Sequence, residues 1–170
     1  MSQEEIDIDS LPDLEDLGIN VAQANVVKDK IDLLNSLDNY IKKKSKEDLL
    51  TFVRYTAPTL VTDFKMGRHI ELLCDRLQKV ADGEVKRLMV FLPPRSSKSL
   101  ITSKIFPAWY IGREPNHEIM SVSHSDQLAS DFGRSVRDIV NTEDFQKTFK
   151  GVSLRSDVKA AGKWKTNHNG

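Results

Sequence analysis

The fold prediction rests on residues 88–99, which read LMVFLPPRSSKS. Apolar residues stop at two prolines, and a short polar loop follows before a helical pattern begins. A short, nearly continuous apolar run over 86–92 is typical of a strand buried on both faces of a parallel sheet. The stretch therefore predicts a buried strand that ends in a loop ahead of a helix.

The patterns around this loop predict an alternation of helices and strands. Apolar residues recur at helical spacing over 69–81 and 126–141, and 118–123 predicts a second short strand. Residues 99–112 also have a helical pattern, in which Pro107 is expected to kink or interrupt the last turns because it lacks an amide donor. This series predicts an α/β fold, a parallel sheet flanked by helices with right-handed crossovers.

Composition limits the class of protein. A chain of 170 residues with 39% hydrophobic and 29% charged residues is typical of one soluble globular domain. No apolar run approaches the roughly 18 residues that a membrane helix needs. Cys74 is the single cysteine, which excludes a disulfide framework and a cysteine-rich zinc site.

The charges are distributed unevenly along the chain. Residues 1–17 hold seven of the 25 acidic residues and none of the 25 basic ones, so 18–170 carries an excess of seven positive charges. We expect residues 1–24 to form a flexible acidic arm. An amphipathic helix follows it, whose apolar stripe packs on the domain or docks a partner; the stripe consists of Val27, Ile31, Leu34, Leu37 and Ile41.

The loop has part of the chemistry of a phosphate-binding loop. In such a loop backbone amides surround a phosphate, a lysine supplies positive charge, and a Ser or Thr hydroxyl coordinates magnesium. Lys98 and Ser99 offer the last two groups in the right order. Leu92 and Ser97 stand where the pattern G-x-x-x-x-G-K-[ST] has glycines, so the residues alone leave open a phosphate site and an ordinary turn.

A resemblance favours the phosphate site. The segment FLPPRSSKSLITSKIFPAWYIGREP resembles the nucleotide-binding segment of large terminase subunits of tailed bacteriophages, in which Pro-Pro-Arg, two small or polar residues and Lys-Ser are common. SVSHSDQLASDFGRSVRDIV is similar to the family's second strand and following helix, and WKTNHNG to the segment before its acidic magnesium motif. The resemblance covers roughly residues 47–170, and Ser97 departs from it because most members keep a glycine there.

The resemblance implies the members of a site for ATP and Mg²⁺. Lys98 would contact phosphates, Ser99 would coordinate magnesium, and Arg95 would stabilise charge on the γ-phosphate. His69, upstream of the loop, would contact adenine, although a capping or core histidine is the alternative reading. The implied nucleotide-binding set is Pro94, Arg95, Ser96, Ser97, Lys98, Ser99 and His69.

The resemblance also implies an organisation and a role. Residues 1–46 would be the acidic arm with its helix, and 47–170 the N-terminal part of a P-loop ATPase domain, ending before the acidic magnesium motif and without a nuclease domain. The whole motor would work in the host cytoplasm as an oligomeric ring, with double-stranded DNA, the small terminase subunit and the portal protein of the procapsid as partners.

Two alternatives remain open from the sequence. The chain could belong to another P-loop DNA motor such as a helicase, or it could be a non-catalytic module that binds a partner through its N-terminal helix. In either case we expect little ATP turnover by these 170 residues, because no apolar strand in them ends in paired acids.

Overall fold

The computed structural model describes residues 21–160 and 163–168. Residues 1–20 of the predicted acidic arm lie outside the described residues. The helix α1 (Val21–Glu47) includes the last four residues of that arm, 21–24, so it begins earlier than predicted. The chain divides into two compact units, residues 1–40 and 41–170. In the first unit the apolar side chains of Ile31, Leu33, Leu34 and Leu37 are about half exposed.

The second unit is mostly helical. After α1 come α2 (Leu49–Leu60) and α3 (Arg68–Ala81), and then a helical run made of α4 (Lys98–Leu100), a π-helical segment (Ile101–Ile105) and α5 (Phe106–Arg113). The last helices are α6 (Asp126–Val140) and α7 (Glu143–Thr148). Two antiparallel strands follow, β1 (Leu154–Ala160) and β2 (Lys163–Thr166), with Leu154 opposite Thr166.

One hydrophobic core joins these helices. Its members come from α2, α3, the π-helical segment, α5, α6 and the end of α7, which pack their apolar faces together. Burial of such faces is the main favourable term in folding. The largest fully buried side chains are Trp109, Phe52, Phe145, Leu49, Ile70, Ile101, Ile105 and Ile139.

The predicted parallel sheet is wrong. Among the described residues the one sheet is the antiparallel pair β1–β2, and segments 87–93 and 117–123 belong to no helix and no ladder. Leu88, Val90 and Leu92 pack against the core, whereas Met89 and Phe91 are 79% and 81% exposed. The apolar run is therefore covered on one face only, because helices pack against one side of it and no described element covers the other.

Two helix predictions are confirmed. Periodicity over 69–81 and 126–141 matches α3 and α6 closely, and Ser125 caps α6 by accepting a hydrogen bond from the Leu128 amide at 3.3 Å. Pro107 does not interrupt the last turns. The π-helical segment lies immediately before it, and this wider winding accommodates a proline whose ring would clash with the carbonyl four residues earlier.

Candidate functional site

The loop between the 87–92 segment and α4 contains two strained residues. Arg95 has φ 63° and Ser97 has φ 59° and ψ 13°, both in the left-handed region that glycine adopts most readily. A side chain in this conformation costs roughly 1–2 kcal/mol. Ser97 thus has the backbone conformation of the glycine that the loop pattern would place there.

Hydrogen bonds hold the loop closed. The Ser96 hydroxyl donates to the Pro93 carbonyl at 2.7 Å, and the Lys98 ammonium donates to the Leu92 carbonyl at 3.4 Å. The Ile101 amide donates to the Ser97 carbonyl at 3.0 Å, which is the first bond of the helical run. The ammonium of Lys98 therefore links the two ends of the loop and places a positive charge beside its backbone.

A cleft of about 510 Å³ lies between this loop and the α2–α3 connection. One wall is the loop itself and the other comes from residues 61–70. The lining residues are Val61, Asp63, Phe64, Lys65, His69, Ile70, Leu92, Pro93, Pro94, Arg95, Ser96 and Ser97. The lining mixes apolar, aromatic and charged groups.

Backbone strain concentrates at this cleft. Among the described residues the non-glycine residues with left-handed φ are Asp63, Arg95 and Ser97, and all three line it. Strained backbone persists only where the surrounding structure enforces it, and such residues cluster at ligand sites. The three residues come from both walls, so the strain coincides with the cleft rather than with one turn.

His69 lies at the cleft with its side chain exposed. It lies in the first turn of α3, whose N-cap is Gly67. A Cβ on Gly67 would lie 2.8 Å from the His69 Cε1 atom. Glycine at that position therefore leaves room for the imidazole ring.

The structure brings together most of the residues that the resemblance implied. His69, Pro94, Arg95, Ser96 and Ser97 line the one cleft. Lys98 and Ser99 do not line it: Lys98 reaches back to Leu92, and Ser99 is exposed at the start of α4.

Sequence reasoning missed the wall formed by Asp63, Phe64 and Lys65. The one indication in the sequence is Asp63, because aspartate adopts the left-handed conformation of a turn more readily than most residues do.

Two basic side chains give the cleft positive charge. Lys65 and Arg95 line the cleft and form no ion pair with any described residue. No group of three His, Cys, Asp or Glu side chains that could hold a metal occurs among the described residues.

Comparisons with known proteins give no further assignment. No helix in the described part of the chain has the length and apolar character required to cross a membrane. No protein-family model, no curated protein and no solved structure matches this chain.

Proposed function

We propose that the chain binds the magnesium complex of ATP at the cleft between residues 61–70 and the loop 93–99. The proposal extends to the role that the sequence resemblance implies, the ATP-binding part of a viral DNA-packaging motor similar to large terminase subunits. It concerns the loop and its cleft and does not require a parallel sheet.

The observation that carries the proposal is the strained cleft. Asp63, Arg95 and Ser97 hold left-handed conformations around one cavity, and Lys98 bonds across the loop beside it. A loop that curls in this way exposes successive amides, which is how backbone binds phosphate. Lys65 and Arg95 add positive charge to the same cavity.

Each residue then has a distinct task. The amides of Ser96 and Ser97 would donate to phosphate oxygens, and the Lys98 ammonium would exchange the Leu92 carbonyl for one of them. Arg95 would stabilise charge on the terminal phosphate. His69, exposed at the opposite wall, would stack on or hydrogen-bond to the base.

The wider role rests on the resemblance. In such a motor the chain would act with the small terminase subunit, the portal protein and double-stranded DNA, in an oligomeric ring in the host cytoplasm. A helicase-type motor would use the same nucleotide site, so the nucleotide is the part of the proposal to test first.

Thermal unfolding with and without magnesium-ATP tests the site. We expect the nucleotide to raise the midpoint of the wild type, because a ligand that binds the folded state alone stabilises it. The rise should disappear in Lys98→Ala and persist in Lys104→Ala, which removes the same charge from a residue outside the cleft. Equal shifts in all three proteins would remove Lys98 from the site.

The exposed face of α1 supports a second candidate function, partner binding. Ile31, Leu34 and Leu37 lie three residues apart and are about half exposed. A helix with an uncovered apolar stripe commonly packs against a partner. Leu34→Lys should abolish capture of the small terminase subunit. Leu72→Lys changes an equally exposed leucine of α3 and should leave that capture intact. Equal capture by the two variants would refute this role.

A further inference from the structure

A second cavity, of about 440 Å³, lies between the helical run, α6 and the segment 118–122. We call it the aromatic cavity. Its lining residues are Val80, Thr102, Ser103, Phe106, Pro107, Tyr110, Glu118, Ile119, Met120, Ser121, Val122 and Phe132. A concave lining that is mostly apolar and has a few polar groups is typical of a small-molecule site. Among the described residues the aromatic cavity and the cleft at the loop share no lining residue, so they are separate sites.

Three aromatic rings line this cavity. Phe106 and Tyr110 lie one turn apart on α5, with their ring centroids 6.0 Å apart and their planes at 36°. Phe132 comes from α6, which packs against α5. A hydrogen bond of 2.9 Å joins the Tyr110 hydroxyl to His117 Nδ1 and so ties α5 to the start of the neighbouring segment. The faces of aromatic rings carry negative partial charge, so rings grouped in this way attract a cation.

The charge of the lining has the same preference. Glu118 is the charged residue among those that line the aromatic cavity, and its carboxylate forms no hydrogen bond or ion pair with any described residue. The cleft at the loop is lined instead by the basic side chains of Lys65 and Arg95. A carboxylate beside aromatic rings attracts a cation and repels a phosphate. The two sites therefore suit ligands of opposite charge.

We propose that the aromatic cavity binds a small organic cation that carries a quaternary ammonium group, with its methyl groups against the rings and its charge balanced by Glu118. Such a group has no N–H, so it needs no hydrogen-bond acceptor from an apolar wall, and it keeps its charge at every pH. The π-helical segment supports a ligand site here. Segments of this kind occur often at functional sites, and Thr102 and Ser103 of this one line the cavity.

A pair of molecules with nearly the same shape tests the role of charge. Choline carries a quaternary ammonium group, and 3,3-dimethylbutan-1-ol has an uncharged carbon in place of that nitrogen. In NMR titrations of the full chain we expect choline to bind and the neutral alcohol to bind at least about five-fold more weakly, because it lacks the attraction of a cation to the rings. Failure of choline to bind, or equal affinities for the two molecules, would overturn the proposal.

Variants of the lining locate the bound cation. Glu118→Gln keeps the size of an exposed side chain and removes its charge, so choline should bind several-fold more weakly. Glu47→Gln removes the same charge from an exposed glutamate outside the cavity and should leave the affinity unchanged. Phe132→Leu keeps an apolar side chain but removes a ring, and it should also weaken choline binding. Far-UV circular dichroism verifies the fold of each variant. A folded Glu118→Gln protein with the affinity of the wild type, or an equal loss in Glu47→Gln, would contradict the site.

Discussion

Ser97 joins the loop to the helical run with a backbone that suits glycine. Its φ of 59° lies in the left-handed region, and its carbonyl accepts the Ile101 amide at 3.0 Å. A glycine at position 97 would adopt this conformation without strain, yet the chain has a serine there. Because the strain faces the cleft, we interpret it as the result of the backbone geometry that the proposed phosphate site requires.

Replacement of Ser97 by glycine should raise the free energy of unfolding. Relief of the left-handed strain gains about 1–2 kcal/mol, and the greater freedom of glycine in the unfolded chain takes back about 0.5–1 kcal/mol. We expect a net gain of about 0.5–1 kcal/mol in urea unfolding, from the balance of these two effects. Ser96→Gly should instead destabilise, because it removes the hydroxyl bonded to Pro93; a loss of stability in Ser97→Gly would contradict the strain.

Cys74 should be unreactive in the folded protein. Burial raises the pKa of its thiol from 9.0 to about 12, and the Asp48 carboxylate adds to the shift. A disulfide reagent near neutral pH should therefore modify it only after denaturation. Rapid modification of the native protein would contradict its burial.

The same shift predicts a dependence of stability on pH. The folded state keeps the thiol proton to a higher pH than the unfolded state does. The contribution of the thiol to the free energy of unfolding is therefore complete below pH 9.0 and is lost as pH rises toward 12. The stability difference between wild type and Cys74→Ala should shrink over that range. A constant difference would show that the thiol does not titrate abnormally.

At the scale of elements, the junction of α1 and α2 depends on side chains from two other helices. The Ser45 carbonyl, near the end of α1, accepts the Trp109 indole N–H at 2.8 Å. The Leu49 amide, at the start of α2, donates to the Gln78 side chain at 2.9 Å. Helix ends leave such groups without intrahelical partners, and here α3 and α5 supply them.

Trp109→Phe should therefore destabilise the protein strongly. The variant leaves the buried Ser45 carbonyl unpaired, which costs about 1–3 kcal/mol, and the smaller ring adds a packing loss. Trp164→Phe provides the matched control: that indole donates to the Gly133 carbonyl at 3.0 Å but is only partly buried, so water can replace it. Urea unfolding should show the larger loss for Trp109→Phe; equal losses would contradict this reading.

Local patterns predicted the helices well, and the strands poorly, for a physical reason. Hydrophobic periodicity belongs to a single segment, so α3 and α6 follow from the sequence. The apolar run 86–92 indicated that its side chains are buried, but it did not indicate which residues cover them. Whether such a run pairs with another strand depends on residues that lie far away in the chain. The resemblance named the loop residues and His69, and their role stays a prediction. Asp63, Phe64 and Lys65 reach the same cleft through the packing of α2 and α3, which the sequence did not indicate.

For the whole molecule, the proposed nucleotide site suits binding more than hydrolysis. Asp63 is the acidic residue among those that line it, and no glutamate there could orient an attacking water. We expect little or no release of phosphate from ATP by the purified chain. Steady hydrolysis that depends on Lys98 would show that the described residues hold a catalytic group we have not assigned.

Hydrogen exchange with and without magnesium-ATP tests whether the nucleotide binds at the strained cleft. We expect slower amide exchange in two stretches, 61–70 and 93–100, with no such change in Lys98→Ala. Protection confined to other segments, or equal protection in the Lys98→Ala variant, would contradict it.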